Sequence, residues 1–447
     1  MRLGRGYLSL AVILLGYLVI GFLFATRTPS WQAPDEPAHY NYVRQLAAGA
    51  WPVIESTDYD ERYRNEAVSS GFAAEYPIEP LSYEDWQPPL YYLALTPIYL
   101  LFDGALLPLR LTSLLLGLAI VVAAHAVASH VWPDKHWLAL TATAFVAFLP
   151  QHLAILSSVN NDSLSELIIA LILWSLASIA SKTRSDGPVV ARQWLSLGML
   201  LGLGFLTKLT VYIMAPVILV TLLLLHWKQW STLWNRVLLV FVPASLVGAV
   251  WWLRNIAVYD GLDPLAVMAH DAVVVGQTRT SEWLATYGVL EFLERFALTT
   301  FRSFWGQFGW MGVLMDARIY QLLLLFSSIV FVGLLWRFAA DRSGQVGKSL
   351  GRNLWLLRRI LLVTFLMNVV LYAGYNLTFV QHQGRYLFAA LIPIALAVAA
   401  GLEMWIRPLA TRWPSLTSLV PLLFAMALVG LDLLALFRYI VPQLAAL

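Results

Sequence analysis

Long apolar runs occupy most of this sequence and restrict the folds that it can adopt. Eleven of them approach the ~20 residues that a helix needs to cross a membrane. The predicted spans are 7–26, 107–129, 137–157, 163–181, 193–207, 209–226, 236–253, 318–337, 359–378, 386–406 and 415–437. A chain that is 60% hydrophobic and 12% charged lacks the polar surface of a soluble protein. We therefore predict an all-α polytopic membrane protein, with 1–447 forming a single transmembrane domain.

Charge and cysteine content exclude other classes of protein. The formal net charge is only +3, and no run of lysine or arginine is present. Binding of nucleic acid is therefore not expected. Cysteine is absent, so no disulfide holds any loop.

The positions of the basic residues predict the orientation of the chain. The apolar run at 90–102 is too short to span and contains Pro97. If this run does not cross, most lysines and arginines fall on one side, as in the connections that hold Lys135, Lys228 and Arg407. The positive-inside rule then places the N-terminus in the cytoplasm, with 7–26 as a retained anchor. We expect a multi-pass protein of the bacterial inner (plasma) membrane.

This topology leaves two long external segments, 27–106 and 255–317. Both are polar and rich in aromatic residues and proline, and we expect them to carry juxtamembrane helices that pack on the bundle. Trp305 and Trp310 belong to an aromatic stretch that favours anchoring at the interface, with stacking on a sugar as the alternative. Within the spans, the spacing of Gly198 and Gly202 predicts close helix packing.

An acidic motif follows the first span directly. Asp35 and Glu36 precede Pro37, which suits the first turn of a helix covering 37–49. The alternative is a functional site, because Asp35 and His39 are four residues apart and share a helix face. Two acids and an imidazole suit a general base, a divalent metal site, or both.

Further polar residues lie at predicted span ends on the same side. Asp162 suits a helix cap. Burial of Glu166, one turn further into the membrane, costs free energy unless its carboxyl faces a polar cavity, which it would share with Asp35. Lys208 interrupts an apolar stretch, where a lysine can also snorkel, and Arg254 ends a span as an interface anchor would.

A short turn at 381–386 has an unusual density of polar residues. His382, Arg385 and Tyr386 lie there, and Gly384 allows close backbone approach. Lys208, Arg254 and Arg385 are suited to hold phosphate, while carboxylates handle an acceptor proton or a metal. The collected acids and bases therefore favour a phosphate-linked lipid substrate at the membrane surface.

Taken in order, these motifs resemble the GT-C glycosyltransferase superfamily. The resemblance covers roughly residues 1–406 and is nearest to bacterial relatives of protein mannosyltransferases and aminoarabinose transferases. It rests on Pro34-Asp35-Glu36-Pro37-x-His39, Pro88-Pro89-Leu90-Tyr91-Tyr92, Asn161-Asp162, Thr207-Lys208, Trp252-x-Arg254-Asn255 and Gln383-Gly384-Arg385-Tyr386.

The resemblance implies transfer of a sugar from a polyprenyl-phosphate donor at the outer face, with inversion. Asp35 corresponds to the acidic residue assigned as base or acceptor-positioning group, and Glu36 extends the acidic pair. Some members of the superfamily use a divalent metal there, for which His39 is a further ligand candidate. The basic residues are expected to hold the donor phosphate, and His39, Asp162, His382 and Tyr386 to contact substrate. The implied partners are membrane lipids, a lipid-linked sugar donor and an acceptor that is a glycan, a lipid or a protein.

Two other classes of function fit parts of the sequence. A transporter or flippase for a lipid-linked or acidic solute would also be polytopic, but it should place polar groups on broken helices near the midplane. A structural protein of the cell envelope needs no convergent acids and bases. The enzyme hypothesis predicts that Asp35, Lys208, Arg254 and Arg385 line one cavity.

Overall fold

The computed structural model describes residues 2–182, 190–259, 261–342 and 352–445, and most of these residues are helical. The first α-helices are α1 (Arg2–Arg27), α2 (Glu36–Ala47), α3 (Glu61–Ser69), α4 (Leu90–Leu101), α5 (Leu106–Val131), α6 (His136–Ala147), α7 (Pro150–Leu156), α8 (Asp162–Lys182) and α9 (Ala191–Phe205). They are followed by α10 (Met214–His226), α11 (Trp230–Val258), α12 (Val267–Val273), α13 (Thr280–Trp305), α14 (Ala317–Arg342), α15 (Arg352–Thr378), α16 (Leu391–Arg412), α17 (Val420–Leu434) and α18 (Val441–Leu444). The predicted all-α membrane class is confirmed.

Shorter elements connect these helices. The 3₁₀ helices are Leu209–Ile213, Gly384–Ala390 and Pro414–Ser418, and a π-helical stretch covers Ala435–Ile440. Strands β1 (Gln307–Phe308) and β2 (Val313–Leu314) form an antiparallel hairpin in which Gln307 lies opposite Leu314.

The predicted count of eleven spans is not confirmed. Within the described ranges, nine helical segments are long and apolar enough to cross a membrane, or ten if the bent pair α6–α7 is one span. The remaining prediction, 193–207, corresponds to α9, which has 15 residues and a length of about 22 Å. Helix α4 has 12 residues and is also shorter than the ~30 Å apolar core of a bilayer, in agreement with the prediction that 90–102 does not cross.

Helices α6 and α7 meet at a bend of 61°. Pro150 begins α7, where its missing N–H is no loss. The Val146 carbonyl near the break accepts a hydrogen bond from Nδ1 of His152, at 2.9 Å, and Nε2 of His152 lies 2.8 Å from Glu166 Oε2. The Glu166 carboxyl is therefore directed at His152 and supports the bend. The expectation that Glu166 faces the same cavity as Asp162 is wrong.

Close packing of α9 on α11 depends on two glycines, as predicted. A Cβ on Gly198 would lie 2.4 Å from the Val240 carbonyl oxygen, and one on Gly202 would lie 2.8 Å from Val247 Cβ. Both distances are shorter than van der Waals contact. Only glycine at these positions lets the two backbones approach this closely.

A separate aromatic core fixes the first long segment, residues 28–105, to the bundle. This segment carries α2, α3 and α4, and Tyr42 of α2 stacks on Tyr92 of α4 with ring centroids 3.7 Å apart. Both rings are fully buried beside Leu109 of α5. The packing joins α2 and α4 to a spanning helix and so fixes the direction in which the α2 N-terminus points.

The second long segment, residues 261–316, lies against the first. It contains α12, the long helix α13, which is broken at Gly288, and the hairpin. Trp310 Nε1 donates to the Trp31 carbonyl at 3.0 Å. The two segments thus cover the same end of the bundle, where α8 begins and α9 and α15 end.

Candidate active site

A cavity of about 690 Å³ lies beneath the two long segments. Helix ends supply its floor, and both segments supply its walls. Its lining contains nine acidic, basic or histidine side chains, namely Asp35, His39, Arg64, Glu84, Asp162, Lys208, His270, Asp271 and Arg385. Residues that are far apart in the sequence thus line one cavity.

Asp35 directs its carboxylate into this cavity. It immediately precedes α2 in a left-handed conformation, with φ of 66°, and its side chain makes no cap bond to the helix. Instead, Oδ2 accepts from Arg385 at 2.6 Å and Oδ1 accepts from the Tyr83 hydroxyl at 3.0 Å. Burial opposes ionisation, but the charge of Arg385 and the hydrogen bonds from Arg385 and Tyr83 outweigh it and lower the pKa of Asp35 to about 2. Asp35 is therefore a carboxylate fixed by two donors.

A second ion pair lies in the same cavity. Lys208, between α9 and the following 3₁₀ helix, donates to Asp162 Oδ1 at 2.6 Å. Asp162 is the first residue of α8, and its N–H donates to the Asn160 side chain. The Asp162 carboxylate is therefore directed at Lys208, so the predicted capping role gives way to an ion pair in the site.

Arg385 reaches the cavity because the preceding residue, Gly384, has no side chain and its backbone can pack closely against α13. A Cβ on Gly384 would lie 2.3 Å from the Thr300 carbonyl oxygen, so the predicted close approach is present. Arg385 gives one N–H to Asp35, while its Nε is buried without a hydrogen-bond partner among the described residues. Tyr386 also lines the cavity, with its ring centroid 5.5 Å from the Arg385 guanidinium carbon.

His39 lies one turn from Asp35 and lines the cavity with it, as their spacing predicts. Its Nδ1 is 2.9 Å from the Tyr92 hydroxyl, which also accepts from Asn161 at 3.2 Å. Burial, opposed by the charge of Asp35, lowers the pKa of His39 to about 3. The imidazole is therefore neutral at physiological pH and acts as a hydrogen-bonding group.

Glu36 turns away from the cavity, in contrast to its predicted place in a catalytic pair. Arg110 makes a two-pronged contact with it, through Nε at 2.8 Å and an NH2 group at 2.6 Å. The carboxylate also accepts the backbone N–H groups of Trp31 and Val159. Both oxygens are thus occupied in a fully buried ion pair that ties α2 to α5, and we revise its role to a structural one.

Two predicted substrate-binding residues do not line the cavity. Arg254 stacks on Trp251 at 4.6 Å and donates to the Pro52 carbonyl, so it ties α11 to the first long segment. His382 packs edge-on against Phe292 and Phe296 of α13. The geometric prediction therefore holds for Asp35, Lys208 and Arg385 and fails for Arg254.

The predicted metal ligands do not form a set. Glu36 is committed to Arg110, and Asp35 is committed to Arg385 and Tyr83. Over the residues that the structure describes, no three His, Asp or Glu side chains converge as metal ligands would. The residues present therefore do not fit a metal held by Asp35, Glu36 and His39.

Several cavity residues escaped the sequence reasoning. Glu84, Trp86 and Gln277 line the cavity from the long segments, beside Trp310, for which stacking on a sugar is an alternative in the sequence analysis. The signal that could have indicated this region is the pair of adjacent acids, Glu84 and Asp85, just ahead of the Pro88-Pro89 motif. Trp305, by contrast, is buried against Phe145 and Phe326, which is a packing role.

Comparison with known proteins agrees with this architecture. Residues 86–252 match the family model described as dolichyl-phosphate-mannose-protein mannosyltransferase. A search of curated proteins finds no relative.

Solved structures share the fold along nearly the whole chain. ArnT from Cupriavidus metallidurans bound to undecaprenyl phosphate is 14% identical, with a TM-score of 0.55 over 100% of this chain and 74% of that one. Its apo state gives 13% identity and a TM-score of 0.53 over 97% and 73%. The Archaeoglobus fulgidus oligosaccharyltransferase tethered with an acceptor peptide is 12% identical, with a TM-score of 0.55.

The last match covers 98% of this chain but 55% of the oligosaccharyltransferase, so the chain spans about half the length of that relative. Together, the family model and the shared architecture support a membrane glycosyltransferase. The resemblance that the motifs indicated is confirmed: the chain has the GT-C fold, and its residues 86–252 carry the sequence pattern of the mannosyltransferase family.

Proposed function

We propose that this protein transfers a sugar from a polyprenyl-phosphate donor to an acceptor hydroxyl, with inversion at the anomeric carbon. The observation that carries the proposal is the presence of two partly buried cations, Lys208 and Arg385, in one cavity with Asp35 and Asp162. The undecaprenyl phosphate bound to ArnT, which shares this fold, supports a lipid-linked donor of this class.

The donor phosphate is held by the two cations. Arg385 has the unpartnered Nε described above, and Lys208 carries three donors, of which Asp162 takes one. These N–H groups stabilise the negative charge that grows on the leaving phosphate. Because a phosphate leaves readily, no second carboxylate is needed as an acid, in contrast to glycosidases.

The lipid chain of the donor lies along α15. Leu371, Gly374 and Thr378 line the cavity and are exposed on the outside of the helix. Their spacing places them on one face of α15, and a Cβ on Gly374 would meet open space. This stripe connects the cavity to the hydrocarbon region, so that the head group reaches the cations while the prenyl chain stays among lipids.

The acceptor approaches from the side of the long segments. Asp35 serves there as base or acceptor-positioning group, and the attack on the anomeric carbon is a single in-line displacement. Trp310 supplies a ring for stacking on a sugar. The acceptor is a glycan, a lipid or a protein.

The site belongs at the outer face of a bacterial inner membrane, with the N-terminus in the cytoplasm. The positive-inside distribution supports this orientation. The collection of polar side chains at helix ends supports an enzyme over a transporter or flippase, which would place them at mid-membrane.

Turnover of purified protein with a panel of polyprenyl-phosphate sugars tests the function. Wild type should release polyprenyl phosphate, and Arg385→Gln and Lys208→Gln should each lower kcat/KM by roughly 10- to 100-fold, because a charged hydrogen bond is worth about 1.5–3 kcal/mol. Arg62→Gln, an exposed change on α3 outside the cavity, is the control and should match wild type. Transport of a solute into vesicles without any turnover would contradict the proposal.

A further inference from the structure

Asp35 is poorly placed to accept a proton. Both of its oxygens already receive hydrogen bonds, from Arg385 and Tyr83. Its pKa of about 2 makes it a weak base at neutral pH, because an efficient base has a pKa near the operating pH. The ion pair instead fixes the Asp35 carboxylate relative to the Arg385 guanidinium. Two groups fixed in this way can orient a bound substrate.

Glu84 lines the same cavity. One of its carboxyl oxygens, Oε2, is shielded from water and has no hydrogen-bond partner within the described part of the chain, whereas each oxygen of Asp35 has one. A buried, unpaired carboxyl oxygen is costly, so such an atom calls for a functional explanation. Glu84 also belongs to the first long segment, on the side from which an acceptor enters.

The surroundings of Glu84 adjust its protonation. Burial and the charge of Asp35 raise the pKa of Glu84 to about 8, against the opposing effect of Lys208. Titratable side chains face it from several elements: Tyr83 and Asp85 beside it, Asp35 before α2, Tyr92 in α4, Lys208 after α9, Tyr375 in α15, and Arg385.

We propose that Glu84 is the proton acceptor of the transfer and that Asp35 is a positioning residue. The proposal rests on the glycosyltransferase function stated above. The acceptor oxygen forms a bond to the anomeric carbon as its proton passes to ionised Glu84. The bond from the anomeric carbon to the phosphate oxygen breaks, and the phosphate leaves with that electron pair. Glu84 ends as the neutral acid and returns its proton to water.

The test is the pH dependence of kcat/KM. Ionised Glu84 is the active form, so wild-type kcat/KM should rise about tenfold per pH unit below about 8 and level off above it. The donor phosphodiester stays a monoanion throughout this range. Glu84→Gln should lower kcat/KM by roughly 10²- to 10⁴-fold and abolish the pH dependence.

Asp85→Asn is the matched control. Asp85 is the adjacent carboxyl, and its pKa is also raised to about 8, chiefly by burial. Its Oδ2 accepts from Gln45 and its Oδ1 has no partner among the described residues, so it matches Glu84 closely, but it lies outside the cavity lining. This variant should keep the wild-type rate and profile. Asp35→Asn should lower kcat/KM yet keep the rise with pH, as expected of a positioning residue. The rise should be shifted below pH 8, because the charge of Asp35 contributes to the raised pKa of Glu84.

The outcomes separate the two proposals. Turnover by wild type together with an unchanged rate and profile in Glu84→Gln would overturn the assignment of Glu84 alone. Loss of the pH dependence in Asp35→Asn, with its retention in Glu84→Gln, would make Asp35 the base. Failure of wild type to turn over any donor of the panel would contradict both the function and the role of Glu84.

Discussion

The backbone at Asp35 decides the role of two neighbouring acids. A left-handed conformation is uncommon outside glycine and costs roughly 1–2 kcal/mol, yet it is present at Asp35 with φ of 66°. This conformation turns the Asp35 side chain into the cavity, while Glu36, the next residue, points to Arg110. Adjacent carboxylates therefore serve separate purposes, one in the site and one in the scaffold.

A substitution of Glu36 should reveal this division. Glu36→Gln leaves Arg110 as an unpaired buried charge, for which a loss of about 3–5 kcal/mol in folding free energy is expected. Thermal unfolding in detergent should therefore begin at a clearly lower temperature. The exposed Glu66→Gln on α3 is the control and should unfold like wild type. A Glu36→Gln protein of normal stability but without turnover would restore Glu36 to the catalytic group.

Among the elements, the α9–α11 pair depends directly on residue size. Gly202→Leu should separate the two helices, because a Cβ there already meets Val247 at 2.8 Å. The same change at Gly430 of α17, where a Cβ meets open space, is the matched control. Melting curves should show a loss for Gly202→Leu alone. Equal melting of both variants would mean that α9 and α11 tolerate a wider spacing.

The elements also show what the sequence can and cannot predict. Hydropathy and the positive-inside rule give the depth of a side chain in the membrane. The prediction that Asp35, Lys208 and Arg385 line one cavity follows from this depth and is confirmed. The same two signals do not give the direction in which a side chain points around its helix. Arg254 and His382 lie at the expected helix ends but point to Pro52 and to aromatic rings of α13.

Glu84 and Gln277 could not be located for a different reason. They lie in long irregular segments, whose path is set by packing between distant parts of the chain and leaves no periodic signal. The failed count of spans has a similar origin, because a break such as Pro150 divides a run that is continuous in hydropathy.

At the scale of the whole molecule, the orientation is directly testable. The chain lacks cysteine, so single cysteines can be introduced without a background. Ala74→Cys, on the exposed surface of the first long segment, should react with a membrane-impermeant maleimide in intact cells. Lys228→Cys, exposed between α10 and α11, should react only after permeabilisation. The reverse pattern would place the cavity on the cytoplasmic side.

The pair formed by Asp35 and Arg385 has a consequence for biogenesis. The two residues are separated by 350 positions along the chain, so the ribosome makes one long before the other. A nascent chain that already contains α2 and α4 still lacks the guanidinium that fixes Asp35. Under the proposed function, the cavity therefore gains its second phosphate-binding cation only late in translation.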